Sequence, residues 1–458
     1  MAILGVSRAF PAAVALLVAA MLSGCAAGTH WGRECVSGDL ATRIGHDLGP
    51  GSCPFEIALP ELANLDDGLS EDEAAAIGLW NNPGFQELLA DLYITRADLM
   101  QAQQLTNPQL TTMIPTGVKQ WELALLVPVD VLVLRPKRVL AAELESQRVA
   151  ERLVQDGLNV VRDVRVAYVD LRLAEAQSRL SQEILERLAE LARIAEARLN
   201  RGAASELEIA PIRLEDRSCQ ERAARAAQDE KLARQRLRYQ LGLALLEDPV
   251  RLAPEEEALP PQSVDVEQLV SEAVDSRPDV RAADLAIEAA AQRHRLAYFD
   301  YFNIAAIVPD LNGKGEKGFE AGPGLQMNLP LFHHNQGAKA RTAADALRLE
   351  RQLVRLRDSA AVEVRQAAIR LAQAEQSHAQ WQDEIVPRAK TAADSASKAL
   401  AEDGTSLLTV LETTRQWQTA RQRELETAAD VRRAWAELER SVGRKLRDRQ
   451  TATAETEP

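Results

Sequence analysis

Leu199-Asn200-Arg201-Gly202-Ala203-Ala204-Ser205-Glu206-Leu207 is the stretch whose reading decides the fold, because it recurs. Its counterpart is Ala401-Glu402-Asp403-Gly404-Thr405-Ser406-Leu407-Leu408, with Ser406 lying 201 residues after Ser205. Each stretch reads as a turn between two helices. The glycine permits a left-handed helix end at little steric cost, and the serine shortly after it can cap the next helix. Upstream of the first turn, Lys137 to Leu199 runs about 63 residues without a proline. Its apolar residues recur at threes and fours: Val161, Val164, Tyr168, Leu171, then Ile184, Leu188, Leu191, Ala195. That is the spacing of a long packed helix. Downstream, a second helix is expected from Ser205 to Leu241, with Pro211 tolerated near its start. Around the second turn, Ala338 to Ala401 is interrupted by proline only at Pro387, and the last helix carries Leu425, Ala428, Trp435, Leu438 and Val442 on one stripe.

Working outward, the pairing continues. Asn82-Pro83-Gly84-Phe85 is matched by Arg277-Pro278-Asp279-Val280 after 195 residues, and Ile114-Pro115 by Val308-Pro309 after 194. Val127-Pro128-Val129 is matched by Leu329-Pro330-Leu331 after 202, and Leu241-Gly242 by Val442-Gly443 after 201. The shift changes once, between Pro115 and Pro128. Insertions belong in loops, so a longer loop is expected at Asp310 to Glu320. Each copy then predicts helix, β-hairpin, very long helix, turn, long helix. In the first copy Phe85 to Leu105 is helical, Asn107-Pro108 ends it, and Gln109 to Pro115 and Trp121 to Val129 are strands. In the second, Asp279 to Tyr301 is helical, and Asn303 to Pro309 and Leu325 to Leu331 are strands. The long helix of the first copy spans roughly 95 Å, and its two shorter helices, stacked end to end, roughly 87 Å. The expected fold is therefore mainly α with a small β part. Long antiparallel coiled-coil helices fall in two tandem repeats, 71–248 and 249–447, followed by a disordered tail at 448–458.

Composition agrees. Of 458 residues 46% are apolar, enough for a large core, yet only 4% are aromatic. That balance favours long helices over an all-β sandwich. A net charge of −14 argues against nucleic acid as a partner. No apolar stretch after residue 25 approaches the roughly 20 residues of a membrane-spanning helix, so membrane contact must come from an anchor or from strands. Strand two alternates: Trp121, Leu123, Leu125 and Val127 fall on one face, Glu122, Ala124 and Leu126 on the other. In strand four Leu325, Met327 and Leu329 alternate with Gln326 and Asn328. Apolar-out, polar-in is the pattern of a membrane barrel. Four strands cannot close one, and open edges are not tolerated in lipid, so a monomer is not expected. No phosphate loop, zinc-spaced Cys/His set or nucleophile elbow is present. The chain reads as no enzyme and calls for no cofactor. His333 and His334 point to opposite faces of a strand, which suits a solvated strand end, although a threefold ring could gather copies around a metal.

The N-terminus reads as an address. Arg8 precedes an apolar run from Ala12 to Met21, too short to span a bilayer. Leu22-Ser23-Gly24-Cys25 follows and resembles the bacterial lipobox. The resemblance implies that residues 1–24 are a leader, that Cys25 is acylated, and that 25–70 is a lipid-anchored segment. Ala26, in place of an inner-membrane-retaining Asp, implies the outer membrane. Cys35 and Cys53 lie in a Gly-rich stretch bound for an oxidising compartment and are a candidate disulfide. Cys219 is expected as a half-buried thiol on a helix.

The doubled order, Asn107-Pro108 before the first strand, Leu329-Pro330-Leu331-Phe332 followed by Asn335-Gln336-Gly337, and the two turn motifs together resemble the TolC family over about residues 70 to 445. The resemblance implies a homotrimer with one α-helical tunnel and a short twelve-stranded β-barrel in the outer membrane. It implies an exit duct of a tripartite efflux pump or type I secretion system, passively carrying small molecules or cations, joined through a periplasmic adaptor protein to an inner-membrane pump. It makes Gly202, Ala203, Ser205, Gly404, Thr405 and Ser406 adaptor-docking tips. It makes Glu412 a gate residue, with Asp403 as a second ring, by match to an acidic pattern in which Thr409 fills the other position. An intersubunit salt bridge from Glu412 to an arginine such as Arg415 is the alternative. Strands of about 7–10 residues are short against the roughly 9–11 needed to span. They leave a second reading open: a lipid-anchored periplasmic coiled coil that does not conduct.

Overall fold

The computed structural model describes residues 31–50, 57–60, 68–114, 122–128, 130–245, 250–254, 265–299, 304–313, 319–329, 331–402 and 404–446. The chain is mainly α with a small β part. Its helices are α1 (Arg33–Ile44), α2 (Glu71–Asn81), α3 (Pro83–Leu89), α4 (Asp91–Gln103), α5 (Asp130–Asn200), α6 (Glu206–Gln240), α7 (Val266–Ser276), α8 (Pro278–Ala297), α9 (Gln336–Ala379), α10 (Val386–Ala401) and α11 (Leu407–Val442). Two compact units result. One is built on residues 90–152 and 281–355, the other on 36–89, 153–280 and the chain from 356 onward.

The first unit holds the strands: β1 (Gln109–Met113), β2 (Glu122–Pro128), β3 (Ile304–Gly313) and β4 (Phe319–Met327). They form one antiparallel sheet in the order β1-β2-β3-β4. Gln109 faces Leu126, Pro128 faces Ala305, and Ile304 faces Met327. Of the loop expected at Asp310 to Glu320, residues 310–313 and 319–320 belong to strands, and 314–318 lie outside the described residues. The register slips between Ile307 and Asp310 against both neighbours. That bulge holds Pro309, which has no N–H to donate, outside the ladder and lets the strand continue. The second hairpin is therefore 10 and 9 residues long, against 5 and 7 in the first.

Three further differences from expectation have local causes. The long helix α5 starts at Asp130, with Pro136 inside its second turn, where it removes a single backbone bond. The expected helix from Phe85 to Leu105 divides at Ala90 into α3 and α4. Between α9 and α10, Gln380–Ile385 winds as a π turn, and the Val386 N–H reaches Trp381 O. This wider turn lies just before Pro387, which cannot donate to Asp383 four residues back.

The second unit is packed in three apolar clusters. One joins α2, α5 and α6 around Ile77, Val164, Tyr168, Leu171 and Leu237. A second joins α7, α9 and α11 around Leu269, Val364, Leu371 and Leu438. The helices α2 and α7 were not anticipated. In α2 every residue from Ala74 to Leu79 is buried, so no amphipathic stripe exists to be read. Ser70 caps α2 in a reciprocal box with Glu73, and Asp265 caps α7 by accepting from the N–H groups of Glu267 and Gln268. The ends of α6 and α11 are finished alike. Buried Asn82 donates to Gln240 O at 3.0 Å, and buried Arg277 donates to Ser441 O at 3.2 Å. Gly242 (φ +70°) and Gly443 (φ +89°) then turn the chain away in the left-handed conformation.

Candidate functional site

The third cluster of the second unit gathers both turn motifs. Leu188, Leu191 and Ala195 of α5, Ile209 and Ile212 of α6, Leu400 of α10 and Leu407, Val410 and Trp417 of α11 share one core. Arg198 donates to Leu400 O at 3.2 Å, tying one turn to the other. Arg187 lies over the Trp417 ring at 4.3 Å. The two motifs, about 200 residues apart in sequence, therefore stand side by side.

Their backbone closes both helices by the same bonds. Ala203 N–H reaches Arg198 O and Gly404 N–H reaches Ala399 O, each 2.8 Å and each spanning five residues. This is the longer bond of a Schellman end, in which the residue before the donor takes the left-handed conformation. Gly202 does so, with φ +74°. Gly404 is not among the described residues with positive φ. By its bond it occupies the place of Ala203, not of Gly202, which corrects the expectation that both glycines serve the same conformational need. Asp403, the residue before Gly404 in sequence, lies outside the described residues.

Ser205 and Ser406, read as docking residues, cap the helices that follow. Ser205 Oγ accepts from Glu208 N–H at 3.3 Å while Ser205 N–H donates to the Glu208 carboxylate at 2.9 Å. Ser406 Oγ accepts from Thr409 N–H at 3.2 Å and meets Thr409 Oγ1 at 2.9 Å. Gly202, Ala203 and Gly404 are exposed and Thr405 half-buried. Leu207 is 84% exposed and Leu408 44%, so each turn presents an apolar side chain beside small residues.

Glu412 is exposed on α11, on the same stripe as Leu408, Thr409 and Gln416. Its carboxylate accepts from Gln416 at 3.2 Å. Within the chain, Arg415 pairs not with Glu412 but with Glu215. Glu215 is buried and also receives Arg222 at 2.5 Å. Burial opposes its charge, but the hydrogen bonds from Arg415 and Arg222 outweigh that and hold its carboxyl below the usual range. Glu215 thus pairs one helix with another, α6 with α11. Cys219 is fully buried in the same core, not half-buried, and burial pushes its thiol pKa up. Cys35 lies half-buried on α1. Its candidate partner Cys53, and Cys25, lie outside the described residues.

In the first unit, the sheet has β1 and β4 as its two end strands. His333 and His334 are exposed in the turn between β4 and α9. Among the described residues no group of three His, Cys, Asp or Glu could hold a metal ion, and no helix is long and apolar enough to cross a membrane.

No family model matches the sequence, and no curated protein matches it significantly. Solved structures do match. The outer-membrane channel OprN superimposes with a TM-score of 0.67 at 18% identity, over 86% of this chain and 98% of its own. The CmeC outer-membrane channel of Campylobacter jejuni gives 0.69 at 14%, over 89% and 94%. The outer-membrane protein VceC of Vibrio cholerae gives 0.66 at 15%, over 81% and 96%. The chain has the fold of these outer-membrane proteins.

Proposed function

We propose that this chain, carrying the fold of outer-membrane channels, is the outer-membrane exit duct of a tripartite efflux pump or type I secretion system. It is a passive conduit for small molecules or cations, not an enzyme. One observation carries the reading: a four-stranded antiparallel sheet that ends in β1 on one side and β4 on the other. Three copies arranged head to tail would pair β4 of one with β1 of the next and close a twelve-stranded barrel. Closure removes the edges that lipid does not tolerate. In this reading Cys25 carries the lipid anchor, and the protein extends into the periplasm. The turns around Gly202 and Gly404, with exposed Leu207 and Leu408, meet a periplasmic adaptor protein that links to an inner-membrane pump. Three copies of Glu412 form a ring that favours cations.

A second reading, a lipid-anchored periplasmic coiled coil that does not conduct, is favoured by the 5-residue length of β1, short of the roughly 9–11 residues that span a membrane. Single-channel recording of the full chain in planar bilayers separates the two. Discrete conductance steps are expected from the duct. Their absence from protein that has demonstrably joined the bilayer leaves the coiled coil.

A further inference from the structure

A cavity of about 400 Å³ opens on the second unit between α5, α11 and residues 251–254. Val169, Arg172, Leu173 and Ala176 of α5 form one wall, and Leu425, Ala428, Ala429 and Arg432 of α11 form another. Both sets follow the i, i+3, i+4, i+7 pattern of a single helix face. The small side chains of Ala176, Ala428 and Ala429 leave the space between the walls unfilled. Residues 251–254 are strapped along it by Leu69, whose N–H donates to Arg251 O at 2.8 Å and whose O accepts from Ala253 N–H at 2.9 Å. Gly68 (φ +100°) permits that approach, since a Cβ there would fall 2.9 Å from the Ala253 backbone.

The lining is cationic. Arg172, Arg179, Arg251 and Arg432 stand against one carboxylate, Glu175. Glu175 is already answered, accepting from Arg234 of α6 at 3.0 Å and from Arg179 at 3.5 Å. Arg172 is held by neutral groups. It donates to Tyr168 Oη at 2.6 Å and to Ala253 O at 2.7 Å, and Tyr168 Oη in turn donates to Leu69 O at 3.0 Å. Its Nε–H is buried and has no hydrogen-bond partner among the described residues. A buried donor left unmet is unfavourable, and an anion would satisfy it. Arg251 is exposed and Arg432 half-buried, which sets two further charges toward the opening.

We infer that this cavity binds one small amphipathic organic anion, its carboxylate at Arg172, Arg251 and Arg432 and its apolar body against Val169, Leu173 and Leu425. The chemistry selects that class. Guanidinium forks match a planar carboxylate. The aliphatic walls gain nothing from a bare inorganic anion and cover an apolar body. The volume falls in the lower part of the roughly 300–1,000 Å³ range of small-molecule sites, too small for a two-chain phospholipid. A ligand there touches α5, α11 and the strap together, so it stabilises the folded chain in proportion to its binding. The site is separate from the turns and from Glu412, and it does not depend on conduction.

The test is calorimetric titration of the full chain in dodecyl maltoside with 2-naphthoate, corrected for the detergent alone. Saturable binding of one naphthoate per chain is expected, with a melting temperature that rises with naphthoate concentration. Arg172→Gln should weaken binding at least about tenfold, and Arg251→Gln, at an exposed position, should weaken it with the far-UV circular dichroism unchanged. Ala428→Leu, which fills the cavity, should also weaken it. Should Arg172→Gln fail to fold, the other two variants decide. No saturable binding would overturn the site, and undiminished binding to Arg251→Gln and Ala428→Leu would place the ligand elsewhere and overturn it equally. Binding of 2-naphthylmethanol as tightly as naphthoate would remove the arginines from recognition. Displacement of naphthoate by an equal concentration of inorganic phosphate would reduce the site to a bare anion site and overturn the amphipathic class.

Discussion

At the scale of single residues, Glu412 and Arg165 make opposite use of charge. Glu412 is exposed, and Arg415 on the same helix makes its ion pair with Glu215 while also feeling the Glu412 charge. If three copies ring a conduit, Glu412→Ala should raise resting conductance and move the reversal potential in a salt gradient toward zero. An unchanged reversal potential would remove Glu412 from the gate. Arg165 is buried, pairs with Glu439, and lies 3.2 Å from Asp72 and 3.7 Å from Glu71. Glu439 keeps a second bond, accepting from Leu446 N–H at 3.1 Å. Arg165→Met would leave the Glu439 carboxylate buried without its cation. Removing one partner of a buried pair costs about 3–5 kcal/mol, and the loss should appear as a lower denaturation midpoint. A change below about 1 kcal/mol would mean that Glu439 simply becomes neutral.

At the scale of elements, two left-handed glycines end α5 and α6 in very different surroundings. A Cβ at Gly202 would meet nothing within 4 Å, whereas one at Gly242 would fall 2.0 Å from Asn81 O. Gly202→Ala therefore carries only the strain of a left-handed alanine, about 1 kcal/mol. Gly242→Ala carries the same strain plus a clash with backbone that cannot yield without moving the end of α2. Its cost should exceed that of Gly202→Ala by at least about 1–3 kcal/mol, read as the difference in melting temperature between the two variants. Equal melting temperatures would show that the α2–α6 junction is looser than its contacts imply. Gly202→Ala should also leave the turn folded, which makes it the cleaner background for testing the proposed adaptor contact by cross-linking.

At the scale of the whole molecule, the question is where the end strands of the sheet go. Leu110 on β1 and Leu325 on β4 are 64% and 65% exposed. Gln109, the start of β1, and Met327, the end of β4, lie at the same end of the sheet by the register. In a closed ring of three, Leu110 of one copy would approach Leu325 of the next. Leu110→Cys with Leu325→Cys should therefore give a cross-linked series ending at the trimer on non-reducing gels. Each single variant should give none of it. Cross-linking that stops at a dimer, or does not occur, would rule out closure by these edges.

Sequence alone determined what local chemistry can punctuate. Proline, glycine and capping residues at Asn107-Pro108, Gly202, Ser205 and Ser406 act on their immediate neighbours, so they mark helix and strand ends without knowledge of the rest. The threes and fours of Val161, Val164, Tyr168 and Leu171 named the buried face of α5, because a helix repeats its faces at that interval. The same logic located the turns and the α11 stripe; Glu412 was singled out only by its match to the acidic pattern of the resembled family. Tertiary structure decided the rest. Only packing shows that Arg165 meets Glu439, 274 residues away, or that Arg415 chooses Glu215 over Glu412. The short α2 is buried on all sides, so its period carries no signal. Pro309 sits inside a strand because two neighbouring strands hold a bulge around it, which no local rule for proline could anticipate. Gly404 stands one place beyond Gly202's role because the bond to Ala399 fixes the register of the helix end. These are properties of pairs of residues distant in sequence, and a single chain written out in order contains no record of which distant partners meet.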